Sequence, residues 1–161
     1  MLTIFWDVNG PTLVHFQEKG QTVTSARYSD MLGNELKPTI RLKRSGLLAK
    51  SVLLLHDNAC PHTAAHTMDT LLALKFGVLK HPPYSLELVP SDFHLFGPMK
   101  EHLWVQKFAD DNKVMDAVQS WLKATPKTFF LEGICKLMDR WTKCVVKQGE
   151  LCQKIRHKKF L

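Results

Sequence analysis

One stretch constrains the fold of this chain more than any other. Ser51-Val52-Leu53-Leu54-Leu55-His56-Asp57 is a continuous apolar run that stops abruptly in polar residues. Such a run, without polar alternation, fits a strand buried on both faces, and strands of that kind sit in sheets covered by helices. The flanking sequence agrees. Residues 2–6 read as a short apolar strand, Val8-Asn9-Gly10-Pro11 as a turn, residues 12–16 as the returning strand of a hairpin, and Gly77-Val78-Leu79 as another short strand. From Thr24, a good N-cap, Tyr28, Leu32, Leu36 and Ile40 recur every fourth position on one helical face. Gly33 weakens this helix, and Pro38 is expected to kink or split it. Residues 63–74 read as a further helix.

The second half is helix-rich. His81-Pro82-Pro83-Tyr84-Ser85 reads as a stiff extended loop, and Ser91 as the N-cap of a helix running to about Trp104. A helix from Asp110 carries the apolar stripe Val114, Val118, Trp121 and Leu122; another after Pro126 carries Phe130, Ile134, Leu137, Trp141 and Val145. Both stripes read as core. The 161 residues, 45% of them hydrophobic, are enough for one compact α/β domain over residues 1–150, with 151–161 as a basic tail. Three or four short strands are thin cover for so many amphipathic helices, which implies that strands belonging to this fold lie outside the chain.

The net charge of +7, thickened at residues 41–44 and 154–159, suits a polyanionic partner, nucleic acid first among them. Cys60, Cys135, Cys144 and Cys152 form no Cys-x-x-Cys pair and no secreted-type framework, so they read as reduced thiols. With no signal peptide and no membrane-spanning run, the expectation is a soluble, intracellular protein.

Chemistry centres on two aspartates. Asp57 ends the buried strand, the position at which α/β sheets collect their active sites, although a turn cap would account for it equally well. Asp92 stands one residue into a helix, where carboxylates are favoured by the dipole alone. Together they suit a hard divalent cation. His56, His62, His66, His81, His94 and His102 lack the cysteine spacing or His-Glu-x-x-His pattern of zinc sites, and neither a Gly-x-Ser-x-Gly elbow nor a Gly-rich phosphate loop occurs.

The segments Leu54-Leu55-His56-Asp57-Asn58-Ala59-Cys60-Pro61-His62-Thr63-Ala64 and His81-Pro82-Pro83-Tyr84-Ser85-Leu86-Glu87-Leu88-Val89-Pro90-Ser91-Asp92-Phe93-His94-Leu95-Phe96 closely resemble the two signature segments of mariner-type DNA transposases. The 34 residues between Asp57 and Asp92 match the family interval between its second and third catalytic aspartates. The likeness extends to Phe5-Trp6-Asp7, Gly133-Ile134 and Arg140-Trp141-Thr142-Lys143-Cys144. A similar transposase-derived half occurs in a SET-domain/mariner fusion methyltransferase, and nothing here resembles its SET half.

The resemblance implies an RNase H-like domain that cuts DNA at transposon ends and joins them to target DNA in the nucleus, as a dimer, with Mg²⁺ or Mn²⁺ held by three aspartates. Asp57 and Asp92 take the second and third places. Asp7 is rejected as the first, because the family places that residue in a Thr-Gly-Asp-Glu-like segment upstream of the Phe-Trp-Asp strand, and no such segment occurs in these residues. The expected fold is therefore an incomplete RNase H-like one without its first strand. The expected function is that of a catalytic-domain fragment inactive alone, with a non-catalytic nucleic-acid-binding remnant or a non-functional product as alternatives. Cys60 stands where the family usually has Arg, Leu86-Glu87 where it has Pro-Asp, and Trp104-Val105 where it has a Gly-containing turn. An Arg lost beside a metal site removes a possible phosphate contact. None of these departures touches Asp57 or Asp92.

Overall fold

The computed structural model describes residues 1–80, 82 and 85–146, and resolves into two compact units, Met1–Pro83 and Tyr84–Leu161. The tail at 151–161, and His81, Pro83 and Tyr84 of the expected extended loop, lie outside the described residues.

In the first unit, β1 (Leu2–Asp7) and β2 (Gly10–Phe16) form an antiparallel hairpin with Asp7 opposite Gly10 and a register shift between Phe5 and Trp6. Gly10 has a φ of 108°, which a side chain would resist, so this glycine is what closes so short a turn. The following helical run covers 25–43 without a break: α1 (Ser25–Asp30), a π-helical segment (Met31–Leu36) and α2 (Lys37–Lys43). Thr24 caps it, its hydroxyl accepting the Arg27 N–H at 3.3 Å.

Pro38 neither kinks nor splits this run into separate helices. The chain widens ahead of it, and Lys37 N–H reaches back five residues to the Leu32 carbonyl. Widening also answers the spacing of the apolar stripe. Residues four apart on a regular α-helix drift by about 40° per step, because a turn takes 3.6 residues. A wider turn takes up that drift, and Tyr28, Leu32, Leu36 and Ile40 all end up buried.

After this run, β3 (Val52–Leu55) pairs in parallel with β4 (Phe76–Leu79), the crossover being made by α3 (Cys60–Thr63) and α4 (Ala65–Ala73). The expected helix over 63–74 is thus divided at Ala64, and the Thr67 hydroxyl ties the two pieces by donating to Pro61 O at 2.6 Å. The strand expectation needs correcting on one face. Val52 and Leu54 are buried, but Leu53 between them is 65% exposed. The helical run covers only one side of β3, and no second layer of this unit covers the other.

The four strands form two separate two-stranded sheets among the described residues. One core joins them: Tyr28, Met31, Leu32, Leu36 and Ile40 of the helical run pack with Val52, Leu54, Leu71 and Phe76, and Phe5 and Leu13 of the hairpin close against them.

The second unit is helical. A 3-10 turn (Leu86–Leu88) and a π-helical turn (Ser91–Leu95) lead into α5 (Phe96–Trp104), followed by α6 (Asp111–Ala124) and α7 (Lys127–Val146). Pro90, rather than Ser91, holds the N-cap position, with no side-chain cap bond. Asp110 caps α6, its carboxylate accepting the Lys113 N–H at 2.9 Å. Val118, Leu122 and Phe130 are buried with Leu95 and Met99 as the stripes predict, but Val145 is 76% exposed and does not belong to the buried stripe. On α7 the buried line passes through Gly133, and near the C-terminal end Cys144, not Val145, is the more covered residue.

Candidate active site

Asp57 lies two residues beyond β3, at the carboxyl end of a parallel pair. Its Oδ1 accepts two hydrogen bonds, from Ala59 N–H at 3.1 Å and from His62 Nδ1–H at 2.5 Å. The first is the turn-capping role considered from sequence. It occupies one oxygen only, so capping and metal binding do not exclude each other. The side chain is 47% exposed. Burial pushes the Asp57 carboxyl up, but the Ala59 N–H, the charge and hydrogen bond of His62, and the charge of His56 together outweigh it and hold the group below the usual carboxylate range. Asp57 is an anion at neutral pH.

Around it stands an aromatic cluster that sequence reasoning did not assemble. Tyr28, buried on α1, lies 4.3 Å from the His62 ring and 6.0 Å from His56 between centroids, and its hydroxyl shares a hydrogen bond of 3.3 Å with His56 Nδ1. Burial first, then the Asp57 charge, push the Tyr28 hydroxyl well above the ordinary tyrosine range, so it stays neutral. His62 was visible in the sequence as a neighbour of Asp57. Tyr28 was visible only as a core residue of a distant helix.

Asp92 belongs to the second unit, in the π-helical turn, and is exposed. The residues beside it are anchored. His94 is buried, donates from Nε2–H to Phe129 O at 2.6 Å and stacks on the Phe129 ring at 4.2 Å. Phe93 lies under the Arg140 guanidinium at 4.1 Å, and Arg140 also donates to Glu87 O at 2.9 Å. Each aspartate is thus seated within its own unit.

Asp7 has a different task. Arg44 grips it with two charge-assisted bonds, Nε–H to Oδ2 at 2.7 Å and Nη2–H to Oδ1 at 3.0 Å, and donates to Gly10 O as well. Both Asp7 oxygens are taken by one guanidinium, which locks the hairpin turn to the end of α2.

The chemistry of Asp57, an ionised oxygen donor with its second oxygen unbonded among the described residues, fits one ligand position of a hard divalent cation. No group of three or more His, Cys, Asp or Glu able to hold a metal occurs among the described residues. Asp57 therefore stands as one carboxylate ligand and not as part of a closed protein set.

A family model described as a transposase with a partial DDE domain matches residues 1–50. The chain is 39% identical over 152 residues to the mariner Mos1 transposase of Drosophila mauritiana, covering 93% of this chain and 44% of that protein. It is 34% identical over 145 residues to the human histone-lysine N-methyltransferase SETMAR, covering 90% of this chain and 21% of that one. The chain thus spans less than half the length of either relative. Among solved structures, the Mos1 transposase catalytic domain with raltegravir and Mg matches with a TM-score of 0.86 at 39% identity, over 92% of this chain and 74% of that one. A Mos1 paired-end complex with the left transposon end matches with a TM-score of 0.84 at 39% identity, over 92% and 42%. The chain belongs to the mariner transposase family. Its fold is an incomplete form of the RNase H-like α/β fold of that family's catalytic domain.

Proposed function

We propose that this chain supplies two carboxylate ligands, Asp57 and Asp92, to a Mg²⁺- or Mn²⁺-dependent site for DNA cleavage and strand transfer, and that its 161 residues alone do not complete that site. The observation that carries the reading is the state of Asp57: ionised, half-exposed at the carboxyl end of a parallel strand, with Oδ1 held by two donors. A bound divalent cation supplies charge that activates an attacking oxygen and stabilises a leaving one. Asp57 and Asp92 hold it, and the clamps around Phe93 and His94 keep the backbone of Asp92 in place. Both units are read as parts of one catalytic domain, acting on transposon ends and target DNA in the nucleus, within a dimer as the family resemblance implies. The relatives with Mg, and with a transposon end, support this assignment.

Asp7 does not supply the missing carboxylate, because Arg44 occupies both of its oxygens. The chain alone is accordingly expected to leave a transposon-end duplex uncut in the presence of Mn²⁺. Robust cutting that disappears in Asp57→Asn would overturn the claim of inactivity. Mn²⁺ titration followed by electron paramagnetic resonance tests the ligands themselves: Asp57→Asn and Asp92→Asn each weaken binding, and unchanged affinity in both refutes the assignment.

A further inference from the structure

We infer that His62, braced by Tyr28, is a positioning residue that turns the Asp57 carboxylate so that Oδ2 is the oxygen presented to a cation. The inference rests on the reading of Asp57 as a metal ligand and adds the group that aims it.

The case begins with the two hydrogen bonds on Asp57. Both fall on Oδ1, one from a backbone N–H and one from the His62 ring. Two donors on one oxygen fix the rotation of the carboxylate about its Cβ–Cγ bond, which a half-exposed aspartate otherwise samples freely. The other oxygen then has one direction. The backbone donor belongs to the turn itself and needs no helper; the His62 donor does. Its ring sits on α3, four residues long, and such a short element orients a side chain poorly by itself.

Tyr28 supplies the constraint. Its ring is 2% exposed, lies 4.3 Å from the His62 ring and continues at 6.3 Å into Phe5 of β1. On its remaining side His62 meets His56, at 5.1 Å between ring centroids. The His62 ring is thereby held between two aromatic neighbours with only its Nδ1 edge toward Asp57. A ring packed only to fill the core would need no donor on that edge. Groups that hydrogen-bond a metal ligand commonly change metal affinity about 10- to 100-fold when removed.

The test uses the full chain and Mn²⁺ alone, with bound and free metal separated by electron paramagnetic resonance and folding checked by thermal unfolding. His62→Ala is expected to weaken Mn²⁺ binding by about tenfold. His62→Asn, whose amide N–H₂ falls near the place of Nδ1, is expected to restore most of the affinity. His62→Gln, whose amide reaches the place of Nε2 instead, is expected to stay weak. Should His62→Ala not fold, the contrast between Asn and Gln carries the test. Equal affinity in Asn, Gln and wild type, with loss only in Asp57→Asn, overturns the positioning role and leaves the ligand standing. Undiminished binding in Asp57→Asn removes the ligand, and the positioning role with it.

Discussion

At the scale of single residues, Asp7 and Asp57 show how one side-chain type takes opposite roles through its neighbours. Asp7 meets a guanidinium that matches both its oxygens, and becomes a fastener between the hairpin and α2. Asp57 meets donors on one oxygen only. Arg44→Ala should therefore lower stability by about 1–3 kcal/mol in urea unfolding, since it strands a partly buried carboxylate. Asp7→Asn should leave Mn²⁺ affinity as it is, and a lost metal signal in that variant would contradict the fastener role. Tyr28 sets a dependence on alkaline pH. Its pKa is raised in the folded state, so the stability gained by burying the neutral phenol is complete below the unfolded value of about 10 and fades as pH climbs through the folded-state value. Unfolding midpoints measured across that window should fall more steeply for the native sequence than for Tyr28→Phe. Parallel slopes would show that the phenol is not buried as described.

At the scale of elements, the helical run over 25–43 and strand β3 show what periodicity can and cannot convey. The stripe Tyr28, Leu32, Leu36 and Ile40 was legible because apolar residues every fourth position leave few alternatives to a helix with one buried face. The wide turn inside it was not legible, because Gly33 and Pro38 read as breakers whatever the hydrogen bonds around them do. The apolar run of β3 placed Asp57 at a strand end correctly, but an unbroken run cannot say whether a second layer covers the far face. Leu32→Ala should cost about 2–5 kcal/mol, as a fully buried leucine does. Leu53→Ala, on the uncovered face, should change stability by no more than about 0.5 kcal/mol. A comparable loss at both positions would mean that β3 is covered on both sides in solution.

At the scale of the whole molecule, family membership was legible because two motifs and their interval lie in the linear sequence, where the pair Asp57 and Asp92 could be read directly. The groups that hold each aspartate could not, because Tyr28 with His62 and Phe93 with Arg140 meet only after folding. The formal charge of +7 belongs to this scale as well. Binding to duplex DNA should weaken steeply as salt rises and depend little on sequence, since phosphate contacts act through counterion release. Filter binding at several salt concentrations checks this, and affinity indifferent to salt would argue against an electrostatic interface.

The wide turn at Met31–Leu36 also sets a phase. Removing one residue there, Gly33 for example, would let the run close into regular α-turns and rotate everything after it by about 100° about the helix axis. Ile40 would swing out of the core, and Arg44 would turn away from Asp7. Length in this segment is therefore under tighter constraint than composition: a single-residue deletion in a helix remote from Asp57 should unfasten the hairpin, whereas an exchange of Gly33, which has open space around it, should be tolerated.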